Sequence, residues 1–145
     1  MRTQIVVSSL LLYVFTPYAA DAEVPPGGKE VVGWVIYSRD ERISTSPIVS
    51  EIWYPTDKLW VLWARSGMLL ATMPVPDLQA GYKYNYGECK VDSVLRNDII
   101  AAVKHRSNME WSTDVALVWV IDPNKASFVP IPSRGVICRN DGYGV

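Results

Sequence analysis

The chain carries two cysteines, Cys89 and Cys138, and whether they can bond to each other constrains its fold more than any other feature. The answer lies at the opposite end of the chain. Residues 1–28 read MRTQIVVSSLLLYVFTPYAADAEVPPGG. Arg2 stands ahead of an apolar run from Ile5 to Phe15, Pro17 breaks the run, and Ala20-Asp21-Ala22 supplies small residues for a peptidase. A charged start, an apolar middle and an A-x-A site are the layout of a secretory signal peptide, here residues 1–22. A membrane anchor needs ~20 apolar residues; this run is shorter, includes Ser8 and Ser9, and stops at a proline. No cysteine near the cut suggests a lipid anchor either. The expectation is a periplasmic or secreted domain, residues 23–145, with no membrane anchor after cleavage.

That compartment changes what the cysteines do. In an oxidising space an even count is read as a disulfide framework, and two cysteines allow one pairing, Cys89 to Cys138. The bond closes a loop of about fifty residues, which the chain-entropy model values at roughly 4 kcal/mol. A typical domain is stable by only ~5–15 kcal/mol, so one such bond matters.

About 123 residues remain after cleavage, enough for one domain with its own core. The sequence is 49% hydrophobic and 20% charged, which excludes a disordered body. The leader takes away one base, Arg2, and one acid, Asp21, so the net charge stays at −1. The one basic run, Lys104-His105-Arg106, is too short for a nucleic-acid footprint.

Strand signals dominate the rest. Residues 31–37 (VVGWVIY), 47–54 (PIVSEIWY), 58–64 (KLWVLWA) and 68–73 (MLLATM) are β-branched or aromatic runs, with Arg65-Ser66-Gly67 as a hairpin turn between the last two. Gly33, inside the first run, marks a place for a bulge. In residues 113–132 (TDVALVWVIDPNKASFVPIP), Val115, Leu117, Trp119 and Ile121 alternate with Ala116, Val118 and Val120. Both faces are apolar, so this strand belongs in the middle of a sheet. Asp122-Pro123-Asn124-Lys125 is a turn, and the returning SFVPI carries prolines that only an edge strand tolerates. Residues 135–138 (GVIC) read as a last short strand.

Residues 90–105 (KVDSVLRNDIIAAVKH) fit two structures. Val91, Val94, Leu95, Ile99, Ala102 and Val103 share one helical face, with Asp92 as N-cap. The same stretch makes two strands, 89–95 and 99–105, folded about Arg96-Asn97-Asp98. Asn-Asp in mid-helix favours the strands. The expected fold is therefore mainly β: a small antiparallel sheet, sandwich or half-open barrel closed by one disulfide. An α+β fold with a helix at about 92–105 is the alternative.

Catalytic constellations fail on inventory. His105 is the single histidine, and no G-x-S-x-G accompanies it. A paired cysteine is no nucleophile. With both thiols bonded, too few ligands remain for zinc, so no metal and no cofactor is expected. No glycine-rich phosphate loop follows a strand.

Aromatic residues in loop-like places are more informative. In residues 81–89 (GYKYNYGEC), Tyr82, Tyr84 and Tyr86 alternate and share one side of an extended chain, with Lys83 and Asn85 on the other. The disulfide would bring this arm beside residues 139–145 (RNDGYGV) and Tyr143. Tyr with Gly and Asn is the composition of protein-contact loops; the same alternation also suits an ordinary packed strand. Trp111, in a polar loop, is a further binding candidate. Trp53, Trp60 and Trp63 lie in strand-like runs and are read as core. The function these features suggest is a non-enzymatic protein-binding domain, inhibitor- or immunity-like, whose partner is another envelope or secreted protein. The alternative is a small envelope hydrolase using two carboxylates on cell-wall sugar, for which the acids would stand about 5–10 Å apart.

Overall fold

A computed structural model describes residues 23–36, 46–106 and 108–140. The expected leader, 1–22, and Tyr143 lie outside the described residues. Every regular element described is a strand, so the mainly β reading holds and no helix forms over 92–105. In chain order the strands are β1 (Lys29–Val35), β2 (Ile48–Trp53), β3 (Lys58–Trp63), β4 (Leu69–Pro74), β5 (Tyr82–Tyr86) and β6 (Cys89–Val91). There follow β7 (Val94–Arg96), β8 (Ile99–Lys104), β9 (Trp111–Ser112), β10 (Val115–Asp122), β11 (Ser127–Ile131) and β12 (Val136–Arg139). They form three four-stranded antiparallel sheets: a meander sheet β1-β2-β3-β4, a middle sheet β11-β10-β8-β5, and a disulfide sheet β7-β6-β12-β9.

The middle sheet owes its position to two strands that are apolar on both faces. In β8 every residue from Ile99 to Val103 is buried. Period-two alternation sends Ile100 into one hydrophobic cluster and Ile99, Ala101 and Val103 into another. In β10, Trp119 and Ile121 enter the first cluster while Val118 and Val120 serve the second. The first core, between the meander and middle sheets, is built on Trp60, Leu62, Val49, Trp119 and Ile121. The second, between the middle and disulfide sheets, is built on small aliphatics and the two cysteines.

The alternation read from β10 is correct from Leu117 onward and shifts before it. A register slip between Val115 and Leu117 places Val115 opposite Val103, and both pack in the second core. An extra residue in one strand reverses which face the preceding side chains occupy. The bulge expected at Gly33 falls instead between Glu30 and Val32. Gly33 serves a close approach: a Cβ there would lie 2.4 Å from Glu30 Oε1, which accepts a hydrogen bond from Ser50 Oγ at 3.0 Å.

Residues 89–105 are extended, but not as one hairpin. A two-residue turn at Asp92-Ser93, with φ of 48° and 69°, folds β6 onto β7 within the disulfide sheet. Positive φ at both central residues is the hairpin turn whose twist matches the strands. Arg96-Asn97-Asp98 then passes the chain to the middle sheet, and the Arg96 guanidinium grips the Asp98 carboxylate at 2.7 and 2.9 Å. β7 and β8 therefore belong to different sheets.

The remaining turns follow the sequence signals. Asp122 Oδ1 accepts the backbone N–H groups of Asn124 and Lys125, each at 3.0 Å. The strand it starts, β11, carries Pro130 and is an edge, where a missing donor costs no ladder bond. Cys89 and Cys138 are directly opposed on β6 and β12, with Cα atoms 4.1 Å apart, and they are bonded across a sequence separation of 49. A disulfide of this kind is compatible with an oxidising extracellular compartment.

Candidate contact surface

The tyrosine strand divides its side chains as alternation requires. Tyr84 and Tyr86 pack against the first core, not into solvent. The Trp60 indole N–H donates to the Tyr86 hydroxyl at 3.2 Å, and Trp34 lies against the Tyr86 ring with centroids 5.0 Å apart. The Tyr84 hydroxyl donates to the Pro76 carbonyl at 2.5 Å, and its ring meets Trp60 edge-on at 5.0 Å. Burial, and then the carboxylates of Glu51 and Asp77, push the Tyr84 phenol up to about 12. Tyr86 is raised further. Burial is the main cause there, with the Glu51 carboxylate adding to the rise.

The expected alternation of Tyr82, Tyr84 and Tyr86 with Lys83 and Asn85 turns Tyr84 and Tyr86 toward the first core. The outward role narrows to Tyr82, half-buried at the start of β5. Tyr143 lies outside the described residues. The expected core role of Trp60 is correct, for it is fully buried. Trp63 is half-buried, while Trp53 is 45% exposed. Trp53 ends its strand, and the Lys58 ammonium caps its ring at 4.3 Å, which lets an aromatic sit in the open.

Trp111 lies on the disulfide sheet. Because Cys89 and Cys138 point inward, their neighbours Lys90, Ile137 and Arg139 take the outer face. Leu95 stands opposite Lys90, and Trp111 opposite Arg139. The Lys90 ammonium lies over the Trp111 ring at 4.2 Å. Leu95, with 63% of its surface exposed, is the most open large apolar residue described. The outer face thus combines an exposed aliphatic, a half-buried indole and two cations.

Beside it, a half-open hollow is lined by Lys83, Asn85, Val103, His105, Arg139 and Asn140, among others. Its floor is held by two buried amides. Asn85 Nδ2–H donates to the Arg139 carbonyl at 2.9 Å and its Oδ1 accepts the Glu88 N–H at 3.1 Å. Asn140 Nδ2–H donates to the Met109 carbonyl at 2.6 Å. Sequence reasoning found Trp111 and noticed that Lys83 and Asn85 turn away from the tyrosines. It missed Lys90, Leu95 and Arg139, since only sheet pairing places them together. No group of three or more potential metal ligands occurs among the described residues.

The fold and this surface define a class, a small all-β domain locked by one disulfide, with an apolar and cationic face on the locked sheet. Compared with protein-family models, curated proteins and solved structures, the chain has no match in any of the three.

Proposed function

We propose that this is a non-enzymatic binding domain of the periplasm or extracellular space that docks on another protein, in the manner of small inhibitors and immunity proteins. The contact surface is the outer face of the disulfide sheet, with Trp111 and Leu95 as apolar anchors and Lys90 and Arg139 around them. Tyr82 and the region of Tyr143 are further contacts. The observation that carries the reading is the exposure of Leu95 on the same outer face as a Lys-capped Trp111, on a covalently locked sheet. Interface centres are enriched in Trp, Tyr and Arg, and anchors on a rigid support lose little entropy on binding.

The carboxylate-hydrolase alternative draws no support from Glu51, the buried carboxylate among the described residues. It lies opposite Trp60 across β2–β3, beside the packed aromatic residues of the first core.

Capture of partners from envelope or secretory extract tests the proposal, comparing wild type with Trp111→Ala, Leu95→Glu and Tyr82→Ala. A partner retained by wild type and lost by the first two variants is the expected result. Equal recovery by all four proteins overturns the assignment of the surface.

A further inference from the structure

The hollow at Arg139 is lined by cations that make no ion pair among the described residues. Among the described residues the ion pairs are Arg96–Asp98 and Arg106–Asp114, and neither involves Lys83 or Arg139. No carboxylate lines the hollow. Glu88 and Glu110 approach it through their backbones: their carbonyls accept the N–H groups of Arg139 and Asn140 at 3.0 and 2.8 Å; Asp141, which follows Asn140, lies outside the described residues. Both glutamates are exposed. The whole chain carries a net charge of −1, so this positive cluster does not simply reflect a basic sequence.

We propose that the hollow is the point at which this surface recognises a carboxylate, supplied by an acidic side chain of the protein partner; this rests on the binding reading above. Arg139 belongs both to the hollow and to the outer face of the disulfide sheet, where it pairs with Trp111. A partner seated on Trp111 and Leu95 therefore brings its own side chains within reach of Arg139. A guanidinium presents a planar fork that matches a carboxylate through two parallel hydrogen bonds, and Lys83 adds a point charge at the same mouth. The backbone under Arg139 is fixed by Asn85, which is only 5% exposed, so the site is held in place before the ligand arrives. Unpaired cations at such a point direct encounter and reject basic partners through like-charge repulsion.

The test is an NMR titration of the isotope-labelled, disulfide-bonded protein with acetyl-tetraglutamate amide, at constant ionic strength. Acetyl-tetraglutamine amide and inorganic phosphate are run as the comparison ligands. Saturable shifts confined to the amides of Lys83, His105, Arg139 and Asn140, produced by the glutamate peptide alone, are the expected result. Arg139→Gln and Lys83→Gln, each with an otherwise native spectrum, should weaken that binding about tenfold, as loss of a charge-assisted hydrogen bond does. Equal shifts from the glutamine peptide, stronger binding of phosphate, or undiminished binding by both variants would overturn the proposal. If a partner is still lost by Trp111→Ala and Leu95→Glu while the glutamate peptide fails to bind, the carboxylate site falls and the docking surface stands. If the peptide binds but those two variants keep every partner, the docking surface falls and the carboxylate site stands.

Discussion

The two cores of this domain are stabilised by different means. Between the meander and middle sheets, Trp60 is enclosed by Tyr84, Trp119 and Phe128, with ring centroids 5.0 to 6.0 Å away. Between the middle and disulfide sheets the buried side chains are Ile99, Ala101, Val103, Val118 and Val136, together with the two cysteines. A buried aromatic removes ~150–250 Å² from water, worth about 4–6 kcal/mol at 25 cal/mol per Å². A Val or Ile side chain has less surface to bury and contributes less at the same rate. The second core has no ring to supply that difference, and the disulfide sheet consists of strands of two to four residues. A crosslink of roughly 4 kcal/mol offsets the deficit of a thin core. The surface proposed for binding thus rests on the part of the molecule that depends most on its covalent bond.

Truncation of each core tests this comparison most severely. Trp60→Ala should cost roughly 3–5 kcal/mol, whereas Ile99→Val in the second core should cost about 0.5–1.5 kcal/mol. Urea unfolding of the disulfide-bonded protein at neutral pH measures both. Similar costs would show that the second core is packed as demandingly as the first.

Removal of the crosslink comes next. Cys89→Ser with Cys138→Ser should destabilise by roughly 2–5 kcal/mol. Loss of protection from amide exchange should concentrate in β6, β7, β9 and β12, while Leu62 and Ile121 stay protected. Uniform loss across all three sheets would mean that the cores unfold as one unit.

How far the sequence reveals this arrangement depends on the range of the interaction. The strands of the meander sheet, the edge role of β11 and the two-faced character of β10 follow from local pattern and turn chemistry, and they are legible in single segments. The Asp92-Ser93 turn is not, because Asp-Ser lacks the glycine that normally marks a two-residue hairpin. Its positive φ values are stabilised by pairing that forms only across the disulfide sheet. The tyrosine alternation is legible as a strand, but which side meets the core is decided by Trp60 and Trp34 on other strands. Glu51 lies opposite Trp60 in β2–β3 and is buried with it, and no local rule predicts a buried carboxylate. The face that joins Lys90, Leu95, Trp111 and Arg139 collects residues from four strands, so it exists only once the sheet has formed.

Polar groups inside the first core make a smaller and more selective test. Tyr86→Phe removes the hydroxyl that accepts from the buried Trp60 indole N–H. Leaving that buried indole donor without an acceptor should cost about 1–3 kcal/mol. Alkaline titration provides the complement. The Tyr84 phenol rises from 10.0 to about 12 on folding, so the folded state holds its proton where the unfolded chain has released it. Stability should therefore be level below pH 10 and decline as the pH rises through about 12. Tyr86, raised in the same direction, extends that decline upward. Changes in the second core, which contains no tyrosine, should leave this part of the pH profile in place.

The most local effect is expected at the glycine that leads into β12. Gly135 has φ +78°, and a Cβ there would lie 2.6 Å from Asp92 Oδ1. Its carbonyl also accepts the Asp92 N–H at 3.0 Å, so it connects the β6–β7 turn to the strand that carries Cys138. Two effects oppose a side chain at this position. The left-handed backbone costs an ordinary residue about 1–2 kcal/mol. The carboxylate contact costs less, since Asp92 can rotate away. Backbone conformation should therefore dominate, and Asn, which tolerates the left-handed region, should be better accepted than Ala. Urea unfolding should rank Gly135 above Gly135→Asn, and Gly135→Asn above Gly135→Ala. Equal losses for the two variants would make the contact with Asp92 the governing term. In that case Asp92→Ala should rescue Gly135→Ala, which the backbone account does not allow.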